Sequence, residues 1–575
     1  MSADPTRRRD VVGCSVAMAL PLLAGVIALW GQRYFPTADG AIIEMQVRDI
    51  PSHTPLYGVY SRFGFHHPGP AMFFWLLPFS RLFGLKGVLI GPAVLHLLML
   101  TGCAYALHRR GGRRLCLLGT AFLLLLERAM IADLLDTWNP WLAVTPFALA
   151  VLLAWSVWCR DWWALPWLAG AVSFVVQTHL GYASVAALLV GVAVVALVRS
   201  LFQPSRVAAW PLLVTVGVSA VAWVLPMAEQ VNHSPGNLTL ILRSLRTPPP
   251  DQGVAGWSKA FDSITQTVGV RAPWLSGNEE LEPFVGRVAG APWFALLPVL
   301  ALWITGVIVA RRRERFDAVA LQVISFLLVL VGFVATSRIT GEPYPYITRW
   351  LWVIAMFVVL SSVWSLLDGW ERPPFTVHLQ ERIGTAMVVT LSLVGVGFGL
   401  FSDLPRGNHS AGIDHTIDAV VAALRSDDTI QVWYEGPGWL EEQAGFINEL
   451  ERQGFEVWGP DLPDTEFTLG AHRTRGDRNV SARMIIAIDN EAINARMGKG
   501  QVPVAQWDPL SPEDRDTFNN LRLRLAVEYD DSLNGRGIAN PTPPEQRQRM
   551  LDLARFPLPI AVFLERPAPA PTPPP

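Results

Sequence analysis

Apolar runs long enough to cross a membrane recur along this chain as far as Phe401. Each contains roughly 18 to 25 residues, and about 20 apolar residues in a helix span a hydrocarbon core of about 30 Å. The residues after Phe401 have the mixed composition of a water-soluble domain. We therefore predict a polytopic α-helical membrane protein with a membrane domain (1–401), a C-terminal α/β domain (402–566) and a disordered proline-rich tail (567–575).

Clusters of arginine set the predicted orientation, because positive residues are enriched in cytoplasmic loops. The clusters lie at residues 7–9, 109–114, 199–206, 311–315 and 372–382. About eleven crossings place all of them in the cytoplasm. These spans are predicted near residues 11–30, 87–107, 115–131, 141–159, 164–179, 182–198, 207–228, 291–310, 317–336, 350–367 and 383–401. The N-terminus is then cytoplasmic at the plasma membrane, and the α/β domain is extracytoplasmic.

Five polar segments meet at the predicted outer face. They are residues 31–86, 133–140, 177–182, 229–290 and 337–349. Within the first of them, residues 71–85 are apolar but too short to span a membrane, and they contain Arg81. That pattern is typical of a helix that lies in the membrane interface. The outer face is therefore where polar side chains concentrate.

Composition narrows the class of protein further. A net charge of −2 does not indicate a nucleic-acid partner. All four cysteines lie within or beside predicted spans, so a disulfide framework is not expected. Only three of the 46 basic residues are lysine, which by association suggests a GC-rich genome such as that of an actinobacterium. The first span lacks a clear cleavage site and is interpreted as an uncleaved helix.

The C-terminal domain alternates two kinds of pattern. Helical patterns cover residues 413–424 and 440–453, and β-rich runs cover 429–434, 455–458 and 483–489. Helices that alternate with strands favour an α/β layer.

Asp39 lies nine residues beyond Trp30, close enough to the membrane to meet a lipid head group. Partial removal from water makes a carboxylate a stronger base, which suits a general base. The alternative is a cap at the start of the AIIEMQV helix. Glu44 is a candidate substrate-binding residue, although its spacing from Arg48 also fits a surface ion pair.

Two pairs of polar residues interrupt apolar or turn sequence. His66 and His67, in HHPGP, are placed to orient a substrate or to donate to a phosphate, although such a turn also exists without a function. Gln177 and His179 interrupt an apolar run, where a polar side chain is costly unless it lines a cavity. We predict that both pairs contact substrate.

Charged residues of two further loops complete the candidate site. Asp133 and Asp136 could bind a divalent cation such as Mg²⁺ or Mn²⁺ through oxygen ligands, or they are simply solvated. Arg338 and Arg349 bracket Glu342, and the planar fork of arginine suits a phosphate or pyrophosphate. The alternative for the arginines is an ion pair with Glu342.

The order and placement of these motifs resemble the GT-C superfamily of membrane glycosyltransferases, over roughly residues 10–400. The superfamily includes protein mannosyltransferases, lipid A aminoarabinose transferases and mycobacterial arabinofuranosyltransferases. Its catalytic base is an acid in the first outer loop, and Asp39, in ADGAIIEMQVRDI, occupies the matching position. HHPGPAMFFWLLPF resembles the family's His-Pro-Pro or Lys-Pro-Pro turn before an interfacial helix, with Gly69 replacing one proline. Asp133 or Asp136 matches the family's second acidic loop.

The resemblance implies transfer of a sugar from a polyprenyl-phosphate donor to a cell-envelope glycan, lipid or protein. Asp39 would deprotonate the acceptor hydroxyl, and Arg338, Arg349 or a cation held by Asp133 would offset charge on the departing phosphate. The expected partners are the lipid-linked donor, the acceptor and membrane lipids. Two features depart from the family: Asp39 is not part of an acidic doublet, and the C-terminal domain matches no known sugar-binding module.

Two other functions remain open on the sequence alone. Polar residues among spans also mark the substrate path of a transporter or a flippase of cell-envelope precursors. Such a protein would be expected to contain inverted repeats, and no segment has a clear second copy. The third possibility is a non-catalytic assembly factor whose C-terminal domain binds a cell-wall partner.

Overall fold

The computed structural model describes residues 5–202, 208–247, 253–280, 288–367, 374–402, 407–436, 441–474, 480–533, 542–553 and 556–566. The chain divides into two compact units. The first, called the membrane unit, contains residues 1–32 and 46–405, and the second, called the sheet unit, contains residues 33–45 and 406–575. The predicted disordered tail, residues 567–575, lies outside the described residues.

Helices dominate the chain before residue 402. In chain order they are α1 (Pro5–Trp30), α2 (Ala38–Arg48), α3 (Ala71–Phe83), α4 (Gly87–Ala129), α5 (Ile131–Leu134), α6 (Asn139–Leu142), α7 (Val144–Trp158), α8 (Ala164–Thr178), α9 (Ala183–Leu201), α10 (Ala209–Asn232), α11 (Asn237–Arg246), α12 (Gly256–Val268), α13 (Pro273–Ser276), α14 (Leu297–Arg312), α15 (Phe316–Ser337), α16 (Trp350–Leu367) and α17 (Pro374–Leu400). Short 3₁₀ turns lie at Gly84–Lys86, Leu180–Tyr182 and Trp293–Leu296.

Nine stretches of the described chain are long and apolar enough to cross a membrane. One of them, Ala71–Ala129, breaks inside α4 at Gly111 and Gly112, where Gly112 adopts φ +63°. Helix α8 adds a shorter apolar helix. Counting α4 as two helices and including α8, the apolar helices of the described residues follow the predicted spans in order. The predicted polytopic membrane fold is confirmed.

Helices α7 and α16 form the centre of the membrane unit. Every residue of α7 from Val144 to Val157 is buried, and a helix that is apolar on all sides is one that neighbours surround. Two side-chain donors there find local acceptors. Trp155 Nε1 donates to the Asp317 carbonyl at 2.8 Å, and Gln322 Nε2 donates to Ser365 Oγ at 2.8 Å. The loops that carry the candidate residues are attached to the ends of these packed helices.

A small hairpin precedes α3. Strands β1 (Tyr60–Ser61) and β2 (Phe65–His66) are antiparallel, with Tyr60 opposite His66. Helix α3 follows immediately, as predicted for residues 71–85, and its location in the membrane interface stays a prediction.

The sheet unit contains a five-stranded mixed sheet with strand order β4-β3-β5-β7-β6. Strands β3, β4 and β5 are parallel, and β7 pairs antiparallel with both β5 and β6. The strands are β3 (Thr429–Glu435), β4 (Glu456–Trp458), β5 (Ala482–Ile488), β6 (Ala505–Trp507) and β7 (Ile560–Glu565), and the helices are α18 (Gly407–Ala423), α19 (Glu441–Arg452), α20 (Pro463–Leu469), α21 (Asn490–Met497), α22 (Pro512–Leu533) and α23 (Pro544–Leu553). The three parallel strands match the predicted β-rich runs.

The boundary between the two units differs from the one inferred from composition. The sequence interpretation kept residues 33–45 with the membrane domain, whereas they pack with residues 406–575. Asp39 and Glu44 therefore belong to the sheet unit, while the other candidate residues belong to the membrane unit.

Candidate functional site

The HHPGP segment is held by the chain just before it. The Gly58 backbone N–H donates to the His67 carbonyl, and the His67 N–H donates to the Val59 carbonyl, both at 2.8 Å. Tyr57 stacks on the His66 imidazole, with ring centroids 3.9 Å apart. Both histidines are buried.

His67 meets His179 from the turn after α8, and the ring centroids are 4.7 Å apart. The Leu180 N–H donates to His67 Nδ1 at 3.0 Å, and the Gly181 N–H donates to His179 Nδ1 at 3.2 Å. Burial lowers the pKa of His67 well below its usual value, and burial lowers the pKa of His179 to about 3. Both rings are therefore neutral at pH 7. Because each Nδ1 accepts a hydrogen bond, each ring carries its proton on Nε2, which makes it a donor.

Gln177 explains the glycine in HHPGP. A Cβ atom added to Gly69 would lie 2.3 Å from Gln177 Oε1, and one added to Gly58 would lie 3.1 Å from the Gln177 carbonyl oxygen. The Gln177 amide itself donates to the Ala222 carbonyl at 2.7 Å. The turn therefore packs closely enough on α8 that a larger residue at position 69 would collide with Gln177.

Asn237 fixes the same turn from a third loop. It accepts the His66 N–H through Oδ1 and donates to the His66 carbonyl through Nδ2, both at 2.9 Å. The Asn237 N–H in turn donates to Glu229 Oε2 at 2.8 Å. We call His66, His67 and His179 the histidine turn, and Asn237 and Glu229 hold its first member in place.

A second group, the arginine cluster, consists of Arg349, Glu279, Asp133 and Asp136. Arg349 is buried and pairs with Glu279 at 3.3 Å. Its guanidinium also lies over Trp352 at 4.0 Å and over Trp141 at 4.7 Å.

Two of the acids near Arg349 have raised pKa values. Burial raises the pKa of Asp133 to about 6, although the Arg349 charge opposes the shift. Burial also raises the pKa of Glu279 above its usual value, again against the effect of Arg349. The arginine cluster therefore combines one buried cation with two carboxyl groups, and burial disfavours the negatively charged form of both.

The predicted cation site at Asp133 and Asp136 lacks convergent ligands among the described residues. Asp136 accepts the Trp138 N–H at 3.0 Å, and neither acid joins a group of three or more ligand side chains with converging atoms. A divalent cation there stays a prediction.

Arg338 lies in a different environment from Arg349. It is exposed, and its guanidinium lies 5.9 Å from the Trp257 ring. Glu342, the alternative partner for both arginines, instead pairs with Lys259.

Hydrogen bonds and ring contacts link the loops of the two groups. Asn139 Nδ2 donates to the Thr178 carbonyl, and the Tyr182 hydroxyl donates to the Pro140 carbonyl, both at 3.0 Å. Trp138 contacts Tyr346, with ring centroids 4.8 Å apart. The predicted convergence of polar segments 133–140, 177–182 and 337–349 therefore holds within the membrane unit.

Asp39 and Glu44 lie on α2. Asp39 is half-buried in the first turn of that helix. Glu44 is 1% exposed and pairs with Arg452 at 3.1 Å. Their predicted roles in catalysis and substrate binding stay predictions.

Sequence reasoning missed Asn237, Glu229, Glu279 and Tyr57. Glu229 and Asn237 carried a usable signal, because both lie just beyond an apolar span in a predicted outer loop. Glu279 carried none, since nothing in its neighbourhood connects it with Arg349.

The described residues thus define a polytopic membrane protein with a sheet-containing C-terminal domain and a polar cluster in the loops between its spans. Among solved structures, ArnT from Cupriavidus metallidurans bound to undecaprenyl phosphate is 15% identical, with a TM-score of 0.54 over 85% of this chain and 95% of that chain. Apo ArnT from the same organism is 14% identical, with a TM-score of 0.48 over 85% of this chain and 95% of that chain. Arabinosyltransferase EmbB from Mycobacterium smegmatis is 14% identical, with a TM-score of 0.30 over 79% of this chain and 44% of that chain. No family model and no curated protein matches.

The superposition on undecaprenyl-phosphate-bound ArnT shows that this chain has the same fold. The predicted fold, a polytopic α-helical membrane protein with a C-terminal α/β domain, is therefore confirmed.

Proposed function

We propose that this chain is a membrane glycosyltransferase that moves a sugar from a polyprenyl-phosphate donor to a cell-envelope acceptor on the extracytoplasmic face. One observation carries the proposal: neutral histidine donors and a buried arginine lie in linked loops of a fold shared with a protein that binds undecaprenyl phosphate. Neutral donors suit sugar hydroxyls, and arginine suits a phosphate.

In the proposed reaction the acceptor oxygen attacks the anomeric carbon of the donor sugar. The acceptor proton passes to the Asp39 carboxylate, and the bond between the anomeric carbon and the phosphate oxygen breaks with its electron pair staying on the phosphate. The products are the new glycoside and polyprenyl phosphate. Asp39 is half-buried at the start of a helix, which is compatible with this role.

Arg349 would offset the charge that grows on the departing phosphate oxygen. Its pairing with Glu279 fixes the guanidinium, and its stacking on Trp352 limits its rotation. Gln177, His66, His67 and His179 would orient the sugar, and Arg338, being exposed, would contact the phosphate from the solvent side. A divalent cation held by Asp133 and Asp136, as the sequence predicts, would add to this charge compensation.

Asp39→Asn tests the proposed base. Membranes containing the full chain are given radiolabelled polyprenyl-phosphate hexoses and pentoses, and transfer to envelope glycans is measured. We expect wild-type transfer with at least one donor and a loss of about 10²- to 10⁴-fold in the variant, which is the usual contribution of a general base.

Asp49→Asn is the matched control, since Asp49 is a half-buried acid of the same loop. Retention of transfer in Asp49→Asn, with equal thermal stability of both variants, would attribute the loss to Asp39. Unchanged transfer in Asp39→Asn would contradict the assignment of the base. Movement of labelled lipid across vesicles without any sugar transfer would instead favour a flippase.

A further inference from the structure

The segment that carries Asp39 is anchored to the sheet unit at its first residues. Arg33 pairs with Asp414 at 3.1 Å and with Asp418 at 3.2 Å, both on α18. The Phe35 N–H donates to Ser410 Oγ at 3.0 Å, and this bond is buried. Contacts with α18 therefore fix residues 33–35, which lead into the segment that carries Asp39.

The next two residues pack on α19. A Cβ atom added to Gly445 would lie 3.1 Å from the Pro36 carbonyl oxygen and 3.2 Å from Thr37 Cγ2. Such spacing is tight for any side chain larger than hydrogen. The backbone of residues 36 and 37 therefore lies directly against the α19 surface.

Beyond Asp39, an ion pair between the buried Glu44 and the more exposed Arg452 joins α2 to the same helix α19. Glu44 Oε1 lies 3.1 Å from Arg452 Nη1, and Glu44 is almost completely buried. Arg452 also lies 3.6 Å from Glu449. A buried carboxylate that loses its cation is strongly destabilised, so this pair resists separation of the two helices.

Between these two anchors the backbone is strained. Ala38, directly before Asp39, adopts φ +48°, a left-handed conformation that a non-glycine residue keeps only when its surroundings impose it. The surroundings on both sides are contacts within the sheet unit. The direction in which the chain enters α2, and with it the start of that helix at Asp39, is therefore imposed by α18 and α19.

We infer that the C-terminal domain serves as the positioning element for Asp39, with Arg452 as its principal positioning residue acting through Glu44. The inference rests on the proposed function, in which Asp39 is the base. It assigns a task to a domain that matches no known sugar-binding module. It also gives Glu44 a structural role in place of substrate binding.

The test uses the full chain in lipid nanodiscs and the donor that wild-type membranes use. In Arg452→Ala we expect kcat to fall about 100-fold, because a catalytic group displaced by about 1 Å costs that much, with the KM for the donor changed less than about twofold. Hydrogen exchange of the α2 amides should rise at least about tenfold. Arg452→Lys, which keeps the charge, should recover part of both losses.

Arg515→Ala is the matched control. Arg515 lies in the same unit and is more deeply buried than Arg452, so its loss should weaken the domain at least as much. It pairs with Asp508 at 2.7 Å, far along the chain from residues 33–45. It should leave kcat and α2 exchange near their wild-type values. An equal loss in Arg515→Ala would overturn the inference, because general weakening of the domain would then explain both results.

The exchanged pair Glu44→Arg with Arg452→Glu separates positioning from substrate binding. Recovery of kcat and of α2 protection in the double variant supports positioning. Recovery of protection without kcat would overturn the structural role of Glu44 in favour of substrate contact. If the wild-type protein transfers no sugar from any donor, the proposed function fails. Hydrogen exchange still tests separately whether Arg452 holds α2. Unchanged α2 exchange in Arg452→Ala would overturn the inference itself.

Discussion

The histidine turn and the arginine cluster lie in linked loops of one unit, and both contain buried side chains. They differ in the charge of their buried side chains. His67 and His179 are buried and neutral, with their pKa values lowered by burial. Arg349 is equally buried but stays charged, and it is balanced by Glu279 and stacked on two tryptophans. The histidine turn therefore offers uncharged hydrogen-bond donors. The arginine cluster offers a positive charge whose position is fixed by its ion pair and its stacking.

Under the proposed function, this contrast predicts that the two groups bind different parts of the donor. Neutral donors recognise hydroxyl groups without attracting anions, whereas a fixed guanidinium favours a phosphate. Removing a neutral donor leaves one bond unmade, while removing a buried charge leaves its partners uncompensated. The sizes of the mutational effects should differ accordingly.

The largest effect is expected for Arg349→Ala. Loss of the guanidinium leaves Glu279 and Asp133 without their cation, which should lower the free energy of unfolding by about 3 kcal/mol or more. Binding of undecaprenyl phosphate, measured in nanodiscs, should weaken about 100-fold or more. Arg338→Ala is the control within the same loop: because Arg338 is exposed, its stability change should stay within about 0.5 kcal/mol. Equal stability losses in both variants would erase the contrast between them.

An intermediate effect is expected for His67→Ala. The Leu180 N–H loses its acceptor, and an unsatisfied buried group costs about 1–3 kcal/mol. Sugar transfer should fall roughly tenfold, while undecaprenyl-phosphate binding should change little, because the lost group is neutral. A loss of lipid-phosphate affinity comparable with that of Arg349→Ala would show that the two groups do not divide the ligand as proposed. Calorimetry and single-turnover transfer check these values.

The smallest effect is a pH dependence at Asp133, whose pKa is raised to about 6. As the pH falls from about 7 to about 5, Asp133 takes up a proton and loses its negative charge, so the field at Arg349 becomes more positive. Wild-type affinity for undecaprenyl phosphate should therefore rise severalfold more steeply with falling pH than that of Asp133→Asn. The lipid phosphate itself titrates equally in both proteins, so only the difference between the two profiles counts. Identical profiles would contradict the expectation.

Sequence patterns predicted the membrane fold because span length and apolarity are local properties. Each predicted crossing has a counterpart among the described helices, including the break at Gly111 and Gly112 between two arginine-flanked spans. The parallel strands of the C-terminal domain were equally legible, since each is a short β-rich run between helices. Strands β6 and β7 were not predicted, because their pairing depends on a return of the chain from residues far away in sequence.

The candidate site was only partly predictable, for the same reason. His66, His67, Gln177 and His179 stood out because polar residues beside apolar runs are rare, and the structure brings them together. Asn237 and Glu279 acquire their importance only through contacts with residues about 170 and 70 positions away. No local pattern can encode such pairings.

The sequence by itself determined that this chain crosses the membrane many times, that it ends in an α/β domain, and which polar residues lie in the loops between spans. Local hydrophobicity and residue type suffice for those conclusions. Only the tertiary structure decided that His67 and His179 are neutral, that Arg349 is paired and Arg338 is exposed, and that the segment carrying Asp39 packs with the C-terminal domain. Burial and charge pairing depend on side chains distant in sequence, and they exist only once the chain has folded.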